Sequence, residues 1–405
     1  MTFVDKQTKT GGALIALMLV TFVIGTDDFI IAGILPQIAR DQGVSEAAAG
    51  QLVTVFSITY ALAAPPLAVA TARFPRKQLV VGGLGVFALV NLLTALAPTY
   101  GVLLVLRVVA ALVAAGISPA VFAMAAQLAA PGRVGRAVGV VAAGLTVSLF
   151  VGVPIGSLLG SGFGWRSTFI AVALFTIVVA LVNARVLPRL PGAPEIGVRA
   201  QLAILSRLPV LTCVLGTTMG ASGGLLVYTY IGPITRDLTG HGGTMLALFI
   251  AVVGVAGAAG TFTGGRLSDR WGADRALVAA FALMAVAITA LALLGLWGGT
   301  APVWLTAAAL AAYGFAGWGF NPPMNTRALQ LAGAAGTEAV ALNTSGLYVG
   351  IAIAGAVGGG AIAHYGGGGA AVAAALICLL TLVTMTAFVR RYPSEATHGV
   401  EHQRS

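Results

Sequence analysis

The chain has 405 residues, of which 58% are hydrophobic and 8% charged, against about a quarter charged in soluble domains. With a mean hydropathy of +0.98, this composition excludes a water-soluble globular enzyme and leaves a polytopic membrane protein, with room for about a dozen helices at about 20 apolar residues per span. A net charge of +10 would suit nucleic acid, but the basic residues are dispersed through short loops and form no single patch, so no nucleic-acid partner is expected.

Lys6 and Lys9 precede an apolar run that looks like a signal peptide. It is overlong, carries two acids and lacks a small-residue cleavage site, so it reads as a retained first helix. Apolar segments then fall at about 12–38, 46–71, 78–97, 100–129, 134–162, 166–187, 208–234, 242–267, 275–297, 301–331, 337–364 and 368–389, which makes twelve spans. With the N-terminus placed in the cytoplasm, Arg40, Arg166 and Arg236 lie in outer loops and Arg107 lies inside a span. The other 18 of the 22 Lys and Arg residues then fall on the cytoplasmic side, as the positive-inside rule requires.

The longest polar connection, 187–209, divides the chain in half. RAVGVVAAGL at 136–145 lines up with EAVALNTSGL at 338–347, and AAQLA at 125–129 with ALQLA at 328–332, at an offset of 202 or 203. The expected fold class is therefore an all-α membrane protein of twelve transmembrane helices in two pseudo-symmetric six-helix bundles: residues 1–187, a cytoplasmic linker at 188–207, and 208–405 ending in a short cytoplasmic tail. Six spans per half make the repeat parallel, about an axis along the membrane normal, and place a site between the halves near the bilayer midplane.

Within span 1, Asp27 and Asp28 stand side by side in the apolar run TFVIGTDDFIIAGILPQIA. A carboxylate at that depth costs a few kcal/mol, so such residues face a cavity or a partner and mark ion or substrate pathways. Adjacent helical residues point about 100° apart, so one acid is expected to face a cavity and the other a neighbouring helix. Arg107 in span 4 needs a carboxylate, and Asp27 or Asp28 can supply it. Span 5 carries Gly144, Ser148, Gly152, Gly156 and Gly160 at a spacing of four, with Pro154 interrupting the ladder. Small residues at that interval allow close backbone approach, and proline introduces a bend. Span 11 repeats the pattern with Gly346, Gly350, Ala354 and Gly358.

After span 8 the sequence runs Gly265-Arg266-Leu267-Ser268-Asp269-Arg270-Trp271-Gly272-Ala273-Asp274-Arg275. This is expected to be a tight charged turn outside the membrane, with Asp269 accepting from a helix N-terminus or from Arg133 or Arg136. Polar and aromatic residues placed to line a cavity are Tyr60, Met124, Tyr228, Trp318, Asn321, Asn325, Asn343 and Tyr348. Aromatic faces mixed with amides suit a small amphipathic molecule. Cys213 and Cys378 lie in apolar spans, and the four histidines show no metal-ligand spacing, so neither a disulfide framework nor a metal is expected.

The turn from Gly265 to Arg275 resembles the G-x-L-x-D-R-x-G-x-x-R signature of the major facilitator superfamily. GTDDFIIAGILPQIA, the span 4 arginine and GVPIGSLLG at 152–160 resemble the twelve-helix drug:proton antiporters, in the branch of sugar-efflux and chloramphenicol-resistance exporters. That resemblance implies proton-coupling roles for Asp28, Asp27 and Arg107. It also implies gating or hinge roles for Gly152, Pro154, Gly156, Gly265, Asp269, Arg270 and Arg136. The first-half counterpart of the signature, LAVATARFPRK at 67–77, departs from it, with Ala72 for the Asp and Pro75 for the Gly. Ala110 and Ala111 replace the Gln and Gly usual near the arginine, and Val153 stands where Gly often precedes the proline.

The expected activity is proton-driven export of a small amphipathic, drug-like molecule by alternating access, without an enzymatic reaction or a bound cofactor. Export of sugars, nucleosides or another metabolite, uptake by symport, and a non-transporting membrane sensor are the alternatives. The expected partners are the substrate, protons and the lipid bilayer, with the protein a monomer in the inner membrane.

Overall fold

A computed structural model describes residues 3–129, 134–192, 206–296, 300–333 and 336–394. All regular structure among them is helical. The helices are α1 (Phe3–Asp41), α2 (Glu46–Thr71), α3 (Arg76–Ala95), α4 (Tyr100–Leu128), α5 (Val134–Val147), α6 (Val153–Phe163) and α7 (Trp165–Val186). They continue as α8 (Leu208–Thr229), α9 (Ile231–Thr239), α10 (Thr244–Trp271), α11 (Ala273–Leu296), α12 (Val303–Gly319), α13 (Asn321–Ala332) and α14 (Gly336–Arg391).

Eleven helical stretches among the described residues are long and apolar enough to cross a membrane. The last of these is double, because α14 breaks at Gly366, where φ is 65° and ψ −165°, a region that favours glycine. Counting it as two gives the twelve expected spans. Three further interruptions follow from proline. A π-helical turn, Ser148–Gly152, joins α5 to α6 immediately before Pro154, whose ring and missing N–H disrupt the regular ladder there. Tyr230 separates α8 from α9 ahead of Pro233, and Phe320 separates α12 from α13 ahead of Pro322 and Pro323, so the prolines sit in the first turn of each new helix.

The stretch after span 8 differs from its expected form. Gly265 to Trp271 continue α10 as helix, and the turn is made by Gly272 alone, at φ 81°, before α11 begins at Ala273. A single glycine able to take positive φ suffices to end one helix and start the next.

The chain forms two compact units: Met1–Val44 with Thr59–Val198, and Ser45–Ile58 with Arg199–Ser405. The first turns of α2 thus count with the second unit, where Arg236 pairs bidentately with Glu46 at 2.6 and 2.9 Å and Gln51 donates to the Gly355 carbonyl. Arg236 holds its proton more firmly than an ordinary arginine, chiefly because Glu46 accepts its hydrogen bonds.

In the first unit the glycine stripe of α5 and α6 seats those helices against α1. A side chain at Gly144 would strike Thr21 and the backbone of Met18, one at Gly152 Thr26, one at Gly156 Ile30 and one at Gly160 Ile34. Ser157 donates to the Gly33 carbonyl across the same seam at 3.0 Å. The second unit repeats the arrangement, with Gly346 and Gly350 of α14 against Val214, Thr218 and Ala221 of α8. Large apolar side chains such as Leu62, Leu96, Phe163, Val286, Trp304 and Val383 are exposed, as expected of a chain whose solvent is hydrocarbon.

Candidate functional site

In the first unit, α1 brings its acid pair into a packed interior, with Asp27 1% and Asp28 2% exposed. Helix α4 places Arg107, also 1% exposed, against the first of them. The guanidinium donates to Asp27 Oδ2 at 2.8 Å and to the Asp27 carbonyl at 3.4 Å. Asn91 of α3, itself fully buried, turns its amide toward the same carboxylate while donating to the Phe87 carbonyl at 3.0 Å. Arg107 therefore engages Asp27. Asp28, one position and about 100° further round the helix, points elsewhere within the unit. Gly25, two residues before the pair, has no room for a side chain beside Ser148 and Leu145, so the close seam with α5 runs directly past the acids. Thr26 gives its hydroxyl proton back to the Phe22 carbonyl at 2.8 Å.

In the second unit, α8, α13 and α14 assemble a polar chain. Thr217 donates to Asn343 Oδ1 at 2.6 Å, and Asn343 Nδ2 donates to Asn325 Oδ1 at 3.0 Å. Thr217 and Asn343 are buried, and Asn325 is half-buried. Trp318 packs edge to face on Tyr228, with ring centroids 5.5 Å apart, and on Tyr313 at 6.2 Å, the offset geometry that aromatic quadrupoles favour. Tyr313 is fixed in turn by donating to the Gly224 carbonyl at 2.6 Å.

The cavity-lining candidates are thus dispersed. Asn325 joins Asn343, and Tyr228 meets Trp318. Asn321 is half-buried, Tyr348 is buried in the second unit, and Tyr60 and Met124 are buried in the first. Among the gating candidates, Gly152, Pro154 and Gly156 lie on the α1 seam. Gly265, Asp269 and Arg270 occupy the last turns of α10, where Asp269 and Arg270 are exposed. The Arg136 side chain lies outside the described residues, as does Arg133. Cys213 and Cys378 are free, buried thiols, and no metal-binding group of side chains occurs among the described residues.

A second buried guanidinium belongs to α13. Arg327, 0% exposed, pairs with Asp274 at the start of α11 and donates to the Tyr392 carbonyl at 2.6 Å, while Asp274 Oδ2 accepts from the Ser394 amide at 2.8 Å. Arg107 is therefore not alone as a buried cation within a span. The loop charge count places Arg327 on the cytoplasmic side because it lies close to the end of span 10; its place between apolar residues of that span is the available signal. Asn91 and Thr217 gave less notice, since one amide or hydroxyl in an apolar helix looks like any other until the opposing helix is known.

An all-helical chain whose spans pair by glycine seams and whose buried Arg107 and Arg327 each meet a carboxylate has the architecture of a polytopic membrane transporter. The Major Facilitator Superfamily family model matches residues 17–337, and the chain belongs to that superfamily. It is 32% identical over 357 residues to a chloramphenicol resistance protein of Streptomyces lividans, covering 87% of this chain and 89% of that one. It is 29% identical over 384 residues to an uncharacterised MFS-type transporter, YbcL, of Bacillus subtilis (strain 168), covering 95% and 97%. Among solved structures, the nucleoside transporter NupG superposes with a TM-score of 0.74 at 11% identity, covering 93% of this chain and 99% of that one. A bacterial homologue of the human lysosomal transporter Spinster, inward-facing and unoccupied, superposes with a TM-score of 0.69 at 19% identity, covering 96% and 97%. The chain is accordingly a multi-pass membrane transporter and not an enzyme.

Proposed function

We propose that the protein exports a small amphipathic, drug-like molecule in exchange for protons, from the cytoplasm and across the inner membrane, with both termini cytoplasmic. The observation that carries this reading is the pair of buried carboxylates on α1 beside a buried guanidinium. Asp27 and Asp28 are both within the packed interior, and Arg107 bonds Asp27. Carboxylates in hydrocarbon are costly to keep charged, and taking up a proton relieves that cost. Asp28, one position along the same helix and matching the acidic position that the resemblance implies, is the proposed proton carrier. Proton entry from outside neutralises it and releases cargo; proton loss to the cytoplasm restores affinity for the next molecule. The aromatic and amide surface of the second unit supplies cargo contacts, and the resemblance to the Streptomyces chloramphenicol resistance protein supports an antibiotic-like cargo.

The test uses everted vesicles holding a pH gradient, challenged with chloramphenicol, sugars and nucleosides. A compound that dissipates the gradient with wild type and not with Asp28→Asn supports both antiport and the role of Asp28. Wild-type proton movement in the mutant would transfer coupling away from Asp28. Cargo accumulation down the gradient in the uptake direction would replace export by symport.

A further inference from the structure

The hydrogen-bond chain in the second unit has a direction, and the direction selects a ligand. The Thr217 hydroxyl has one proton, which it gives to Asn343 Oδ1. An amide whose oxygen is taken turns its nitrogen the other way, and Asn343 Nδ2 accordingly donates to Asn325 Oδ1. The oxygen of Asn325 faces Asn343, so its Nδ2, with two N–H donors, is turned to the other side of a half-buried amide. Trp318, Asn321 and Asn325, at i, i+3 and i+7, fall on one side of α12 and α13, so the donor shares its face with the Trp318 ring, which Tyr228 and Tyr313 hold in place. Arg327, two residues on in the sequence, is committed to Asp274 and the Tyr392 carbonyl.

We infer that Asn325 Nδ2 and the Trp318 ring form a cargo subsite for an uncharged, flat molecule that ends in a hydrogen-bond acceptor such as a carbonyl or nitro group. This deepens the export reading and rests on it for the identity of the ligand as cargo. Binding to the subsite can nevertheless be measured without flux. Thr217 is a positioning residue here: it never touches the ligand but fixes which end of two amides points outward. A buried Thr–Asn–Asn chain run in the opposite sense would present the Asn325 oxygen and favour donor-ended molecules instead.

The experiment is calorimetry on the purified full chain in detergent at pH 7.5, with 4-nitrobenzyl alcohol and 4-aminobenzyl alcohol, which differ in whether the ring ends in acceptors or donors. Wild type is expected to bind the nitro compound about tenfold more tightly, the scale of one well-made neutral hydrogen bond in a partly desolvated site. Asn325→Asp keeps an oxygen for Asn343 Nδ2, so the fold is retained, but it has no N–H and should lose or reverse the preference. Thr217→Val releases the Asn343 amide to turn and should flatten the preference while leaving both compounds able to bind. A wild-type preference for the amine, no measurable binding of the nitro compound, or an Asn325→Asp protein that keeps the preference would each overturn the inference. If the preference is found and no compound moves protons in vesicles, the export reading fails while the subsite stands.

Discussion

The Arg107–Asp27 pair is the interaction whose loss should be felt most. Its N–O separation is 2.8 Å, and both side chains are no more than 2% exposed. With charge centres about 4 Å apart and an effective dielectric of about 20, the attraction is about 4 kcal/mol. Removing one partner strands the other in a dry interior and costs about 3–5 kcal/mol. Asp27→Asn and Arg107→Met should each lower the thermal midpoint sharply in detergent, and the double variant should recover most of what either loses. The readout is a double-mutant cycle on unfolding, with a coupling of at least 2 kcal/mol expected from those figures. Neutral hydrogen bonds between membrane helices average about 0.6 kcal/mol in such cycles. A coupling at that level would refute the reasoning, since the pair would then be an ordinary polar contact.

Other consequences can be measured alongside. Gly144→Ala should cost about 1–3 kcal/mol because the new methyl meets fixed backbone at Met18 and Phe22. Gly82→Ala and Gly85→Ala on α3, where a methyl meets nothing within 4 Å, should be neutral or stabilising by up to about 1 kcal/mol; comparing the thermal midpoints checks both. Arg327→Leu strands Asp274 and removes the donor to Tyr392, so limited proteolysis should cut near residue 392 faster than in wild type, and an unchanged pattern would show that the clamp does not hold that segment. Arg236→Gln breaks an ion pair whose arginine is 46% exposed. It should change the midpoint by no more than about 1 kcal/mol in stability, falling further with added salt. Cys213 and Cys378 are wholly buried and should react with a permeant maleimide only after unfolding.

How much of this was legible beforehand follows from the physics of each feature. Length, hydropathy and loop charge specify the number of spans because a bilayer demands about 20 apolar residues per crossing and penalises charge within it. The internal offset near 202 residues pointed to two halves, since a repeated unit must repeat its packing residues. The acid pair and Arg107 stood out because charge in hydrocarbon is too costly to be incidental. The glycine stripe was visible, but its partner was not: a stripe states that something comes close, and only the fold shows α5 and α6 against Thr21, Thr26, Ile30 and Ile34 of α1.

Tertiary structure decided everything that depends on which helix faces which. It seated Arg107 on Asp27, turned Asn91 toward that carboxylate, and joined Thr217, Asn343 and Asn325 across more than a hundred residues of sequence. It also reduced the charged turn after span 8 to Gly272, and it found the Arg327–Asp274 cluster, whose members look like loop charges in one dimension. The sequence by itself determined a twelve-span transporter with its costly residues in view, because burial in lipid is priced residue by residue. The pairing of those residues is a property of rotation and depth about each helix axis, which apolar spans of similar composition leave open until they pack.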